Sequence, residues 1–188
     1  MKTGSFMTND GIRLNYLEAG SGKPLVMIPG GSQAAAQFKH QLDGLSDRYW
    51  VISLDMRGHG DSDKPDHGYH IHRFSKDVHD FLLSKGLSGV TLAGHSLGCG
   101  VIWGYWELFG SDCLEKLILI DQAPFFLSNP RWSEQETIDS GAFLDEGSLI
   151  TWVNSWAPSN DNPDSHKLAV CRKSLRSRGF LPRLPEAR

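Results

Sequence analysis

Three cysteines in 188 residues, Cys99, Cys113 and Cys171, make an odd set without paired spacing. That excludes a disulfide framework and fits a reducing compartment. No apolar run approaches the length of a bilayer-spanning helix, and the N-terminus lacks the charged-then-apolar pattern of a secretory signal. The expected location is cytoplasmic, with no membrane partner. Internal repeats and low-complexity tracts are missing too. His67, His70, His72 and His79 lack the cysteine or acid partners of a zinc pattern, so they read as exposed histidines around a helix start. Gly20-Ser21-Gly22-Lys23-Pro24 has neither the four-residue gap nor the Ser/Thr of a phosphate-binding loop. No metal or cofactor is implied.

What remains is ordinary globular material, 39% hydrophobic and 22% charged, enough for one domain with a substantial core. The formal net charge of -3 hides an asymmetry. Residues 1–166 hold 12 Lys/Arg against 21 Asp/Glu, a balance of -9, whereas residues 167–188 hold 7 basic residues and one acid, +6. The acidic body argues against a nucleic-acid partner, and the basic end reads as a solvated, disordered tail.

Alternating short runs organise the chain. Asn9-Asp10-Gly11 predicts a hairpin turn ahead of a strand from Ile12 to Leu17. Pro24–Ile28, Trp50–Leu54, Val90–Ala93 and Lys116–Ile120 are unbroken apolar runs of the buried parallel-strand type. Between them, Ala34–Leu45 can form a helix, and Ile71, Phe74, Val78, Phe81 and Leu82 recur at helical spacing. A further helix follows residue 96. The pattern predicts an α/β fold, a mostly parallel, doubly wound sheet with helices on both faces. Three regions are expected: a core over 1–122, a partial cap or lid over 123–165 rich in Trp, Ser, Asn and Pro, and the tail over 166–188. In the cap, Leu149, Trp152 and Trp156 share one helical face, which either packs the lid or lines an apolar substrate pocket.

The chemistry concentrates in Val90–Gly98, where a strand runs into Gly94-His95-Ser96-Leu97-Gly98 and then a helix. A serine hydroxyl is a weak nucleophile at neutral pH and needs a base and oxyanion donors around it. A sharp strand-to-helix turn exposes the hydroxyl and aims the Leu97 amide at the oxyanion, so this is the context of a nucleophile elbow.

Two more loops agree in order: Ile28-Pro29-Gly30-Gly31-Ser32, and Asp55-Met56-Arg57-Gly58-His59-Gly60-Asp61-Ser62. With Gly94–Gly98 and the exit Leu117–Pro124, the chain resembles the α/β-hydrolase fold family, in its serine esterase and lipase-like branch. The resemblance makes Ser96 the nucleophile and Gly31 and Leu97 the oxyanion donors, with proline at position 29 where the family usually has histidine. It makes Asp55–Ser62 a structural turn whose Arg and Asp tie loops together, with His59 non-catalytic. Serine at the elbow points away from the dehalogenase and epoxide hydrolase branches, which carry aspartate there. The family order is Ser, acid, His, and this chain departs from it by ending at Arg188 in place of further strands. Asp121 and His166 are the residues that order permits as acid and base, and His95, Trp152 and Trp156 are candidates to line the substrate pocket.

The implied activity is hydrolysis of a small-molecule carboxylic ester, thioester or lactone, with a secondary-metabolite ester fitting the Trp-rich cap. The alternative is a C-terminally truncated, non-catalytic homologue without the triad histidine, acting at most as a binding protein. In that case Leu117–Ile120 would form an open apolar edge suited to self-association.

Overall fold

The computed structural model describes residues 1–121 together with Arg131, Ser133 and Gln135. The cap and tail expectations, with Trp152, Trp156 and His166, lie outside the described residues. The chain divides into two units, Met1–Ile120 and Asp121–Arg188, and the first carries the sheet.

β1 (Lys2–Met7) and β2 (Arg13–Ala19) form the hairpin around Asn9-Asp10-Gly11, antiparallel, with Lys2 opposite Glu18 and Met7 opposite Arg13. β2 pairs antiparallel with β4 (Tyr49–Leu54). β3 (Lys23–Ile28), β5 (Val90–His95) and β6 (Leu114–Ile120) join in parallel, and the sheet runs β1-β2-β4-β3-β5-β6. The connections carry α1 (Lys39–Leu45), α2 (Ile71–Ser84) and α3 (Leu97–Phe109). This is the mostly parallel, doubly wound sheet that the apolar runs predict.

Successive strand side chains point to opposite faces, and the core divides accordingly. Leu25, Met27, Val51 and Ala93 pack with Phe38 and Leu42 on one side. Val26, Ile28, Ile52, Leu54 and Leu92 pack with Phe74, Val78, Phe81, Val101, Ile102 and Tyr105 on the other. Each such Leu, Phe or Val is worth about 1.5–3 kcal/mol when fully buried, so both faces are firmly covered.

Two expectations need correction. Ala34–Leu45 is not one helix: Ala35–Phe38 is a 3-10 turn that leads into α1. Its backbone is drawn toward β4, since the Ala35 amide donates to the Asp55 carboxylate at 2.6 Å and the Ser53 hydroxyl donates to the Ala35 carbonyl at 2.9 Å. The apolar run in β6 reads as buried, but Leu117, Ile118, Leu119 and Ile120 are 37% to 47% exposed. In the described sheet β6 has β5 as its single neighbour.

Among the described residues, no helix is long and apolar enough to cross a membrane, and no group of His, Cys, Asp or Glu is placed to hold a metal ion. The four histidines expected to lie exposed around a helix start serve separate local contacts, and His79 departs from that expectation, being buried and stacked on Phe109 with ring centroids 3.9 Å apart. His67 meets Asp66, His70 accepts from the Arg73 amide at the helix start, His72 meets Glu107 and His79 meets Asp112.

Candidate active site

Ser96 sits between β5 and α3 with φ 49° and ψ -116°, a left-handed conformation that a residue with a Cβ adopts only when its surroundings impose it. The surroundings are backbone. A Cβ at Gly94 would lie 2.5 Å from the Gly98 carbonyl carbon, and one at Gly98 would lie 2.3 Å from the Ile28 carbonyl oxygen. The two glycines therefore let the first turn of α3 press against the ends of β5 and β3. The Ser96 amide donates to the Ile120 carbonyl at 3.0 Å, and the Cys99 amide donates to the Ser96 carbonyl at 2.9 Å. Cys99 is buried, and its thiol donates to the Gly94 carbonyl at 3.0 Å. Leu97, the expected oxyanion donor, is the first residue of α3, where helix amides lack helical acceptors.

The loop after β3 lies against this elbow. A Cβ on Gly30 would fall 2.8 Å from His95 Nδ1 and 3.4 Å from the Ser96 Cβ. Gln37, which nothing in the sequence singles out, fastens the two together: the Gly30 amide donates to Gln37 Oε1 at 2.9 Å, and Gln37 Nε2 lies 2.7 Å from His95 Nδ1. The amide of Gly30 can only donate, so Gln37 turns its oxygen there and its NH2 to His95. His95 Nδ1 is then an acceptor, which places the proton of the neutral ring on Nε2. His95 thus has a defined tautomer beside Ser96.

Two residues beyond Gly30, Ser32 has φ 65°, and its amide donates to His59 Nε2 at 3.1 Å. The amides on either side of Gly31 are therefore both engaged. Gly31, the expected second oxyanion donor, has no such partner among the described residues.

The Asp55–Ser62 turn supports this loop from below. The Asp55 carboxylate accepts from the Ala35 amide at 2.6 Å, Asn15 Nδ2 at 3.1 Å and the Asp61 amide at 2.9 Å. Ser62 donates to the Asp55 carbonyl at 2.6 Å and accepts from the Asn15 amide at 2.8 Å. Arg57 is fully buried. Its Nε and Nη2 form a fork with Asp77 at 2.6 and 2.8 Å, and Nη2 also reaches both oxygens of Asp10 at 3.1 and 3.0 Å. Arg73 joins from α2, with Nε 2.9 Å from the same Asp77 carboxylate. The turn is thus pinned to the hairpin at residue 10 and to α2.

Residues 23–177 match the family model of the alpha/beta hydrolase fold. The chain belongs to that family. As an α/β-hydrolase it is 34% identical over 154 residues to the non-heme chloroperoxidase CPO-A1 of Kitasatospora aureofaciens, covering 79% of this chain and 55% of that protein. It is 33% identical over 115 residues to the soluble epoxide hydrolase of Corynebacterium sp. strain C12, covering 61% of this chain and 40% of the relative. Among solved structures, a bromoperoxidase from Bacillus anthracis superposes with a TM-score of 0.66 at 26% identity, covering 92% of this chain and 68% of that one. An esterase from Exiguobacterium antarcticum gives 0.66 at 25% identity, covering 91% and 67%. The chain spans about half the length of the curated relatives it matches. Of the remaining candidates, Asp121 follows β6 with φ 52° and opens the second unit. His166, Trp152 and Trp156 are outside the described residues.

Proposed function

We propose that this α/β-hydrolase is of the serine type and hydrolyses a small-molecule carboxylic ester, thioester or lactone. The observation that carries the reading is Ser96, a serine held at φ 49° between β5 and the first turn of α3, against the Gly30-Gly31 loop. Ser96 Oγ attacks the substrate carbonyl as its proton passes to a histidine base. The oxyanion is taken up by the amides of Gly31 and Leu97, and the alcohol or thiol leaves with the proton. Water, deprotonated by the same base, then attacks the acyl-serine, and the acid is released. Asp121 and His166 are our candidates for the acid and the base, and His95, Trp152 and Trp156 for the pocket lining.

Relatives named as a chloroperoxidase and as an epoxide hydrolase lie at similar identity, so the substrate class rests on the serine itself. The test is reaction of the purified chain with a fluorophosphonate probe. Labelling that maps to Ser96 and vanishes in Ser96→Ala supports the reading. A folded chain that takes no label favours a homologue that binds but does not hydrolyse.

A further inference from the structure

We propose that His59 is a positioning residue for the oxyanion loop: its neutral ring holds the Ser32 amide, and so sets where the Gly31 amide points. The inference rests on the serine-hydrolase reading and adds to it a residue and a pH response. The two ring nitrogens fix the state of His59 between them. Ser32 N–H can only donate, so Nε2 accepts from it at 3.1 Å, while the Arg57 carbonyl can only accept, so Nδ1–H donates to it at 3.0 Å. Only the neutral ring protonated on Nδ1 satisfies both. A proton on Nε2 would set two donors face to face.

Three observations support the assignment. Ser32 is held in the left-handed region at φ 65°, which a non-glycine residue keeps only when its neighbours over-determine it. His59 is 5% exposed, so water cannot take over the bond. The charged groups that face the ring, Asp55 at the end of β4 and Lys64 beyond the turn, act in opposite senses. Burial is the largest influence and pushes the imidazole below its ordinary range, so the neutral ring persists to lower pH than a free histidine. Gln37 anchors the same loop one residue before Gly31 with a side chain that cannot titrate. The loop thus has one support that does not itself titrate, though its far end rests on His95 Nδ1, and one that acid releases directly.

The experiment has two arms on the full chain. In the first, the rate of fluorophosphonate labelling is followed between about pH 5 and 8. His59→Phe, which keeps bulk but removes the acceptor, should slow labelling about tenfold to a hundredfold, less than the 10²–10³ that loss of an oxyanion donor costs. His59→Gln restores an acceptor that does not titrate. It should recover most of the rate and leave an acid limb less steep than in wild type, where loss of the His59 bond adds to protonation of the histidine base. In the second arm, nitrogen NMR of Ser96→Ala reads the ring and the Ser32 amide directly. Nε2 should be unprotonated at neutral pH, and the Ser32 amide resonance should shift with the same midpoint as the ring on acidification. A Ser32 amide that ignores the titration, or His59→Phe labelling as fast as wild type, would overturn the assignment. Wild type that never labels would count against the hydrolase reading alone, because the NMR arm decides the role of His59 without activity.

Discussion

The elbow around Ser96 and the turn from Asp55 to Ser62 are both tight loops at the ends of parallel strands whose glycines leave no room for a Cβ. The elbow glycines press on backbone while those of the turn press on the Tyr69 and Asp55 side chains, and the turn alone adds buried charge. The elbow is shaped by what is missing, since side chains at 94 and 98 would collide with backbone at 2.5 and 2.3 Å. The turn is shaped by what is present: a carboxylate with three donors, a fully buried guanidinium shared by two aspartates, and a serine that bridges Asn15 and Asp55. Steric fixing holds one atom arrangement and is indifferent to pH. Electrostatic fixing reaches distant elements, here the hairpin at Asp10 and α2 at Asp77, and carries a dependence on protonation. The loop after β3 touches both and is held by two hydrogen bonds, one to Gln37, which also reaches His95 of the elbow, and one to His59 of the turn.

The largest effect should come from Gly98→Ala. Its Cβ meets the Ile28 carbonyl at the end of β3, an inner strand of the sheet, where neither backbone can yield, so we expect a loss above about 4 kcal/mol, in the range reserved for core disruption. Denaturant unfolding checks this, and the loss should be the same across neutral and mildly acidic pH. Next comes Arg57→Met, which leaves the buried Asp77 with Arg73 alone and takes a guanidinium from Asp10, and should cost about 3 kcal/mol, the low end for a broken buried pair because one cation stays. The comparison sharpens in the double variant Arg57→Met with Asp77→Leu. Removal of both charges should recover much of the loss, whereas no second change relieves Gly98→Ala.

A smaller effect follows at Asp55. Asparagine there offers one acceptor oxygen to donors that now share two, so a buried N–H goes unpaired at a cost of about 1–3 kcal/mol. Smallest is the pH response of His59. Its folded-state value lies below that of the unfolded chain, so the unfolded chain binds the proton first on acidification. The contribution is complete above about pH 6.5 and is lost as pH falls toward the folded-state value. Unfolding of wild type against His59→Gln should diverge in that window only. Curves that run parallel there would show that the ring is not held neutral.

Much of this was legible in the residues. The unbroken runs 24–28, 50–54 and 90–93 gave strands because residues buried on both faces show no polar alternation. The Gly-x-Ser-x-Gly spacing was informative because it stood between a strand and a helix. The assignment of Arg57 and Asp55 to a structural turn rested on the family resemblance and not on spacing. What escaped was long-range. Gln37 lies in a stretch that reads as plain helix, and its partners Gly30 and His95 are known only once β3 and β5 are neighbours. The 3-10 start at Ala35 depends on side chains of β4, and no local propensity encodes them. The bond between His59 and Ser32 joins two loops whose sequences give no sign that they meet.

The central claim is that the strained elbow makes Ser96 a working nucleophile, and trapping the acyl-enzyme tests it most directly. Intact-mass spectrometry of the chain quenched early in turnover of a short-chain nitrophenyl ester should show one acyl adduct, located on Ser96 and missing in Ser96→Ala. Turnover that persists in Ser96→Ala, or an adduct on another residue, would contradict the account.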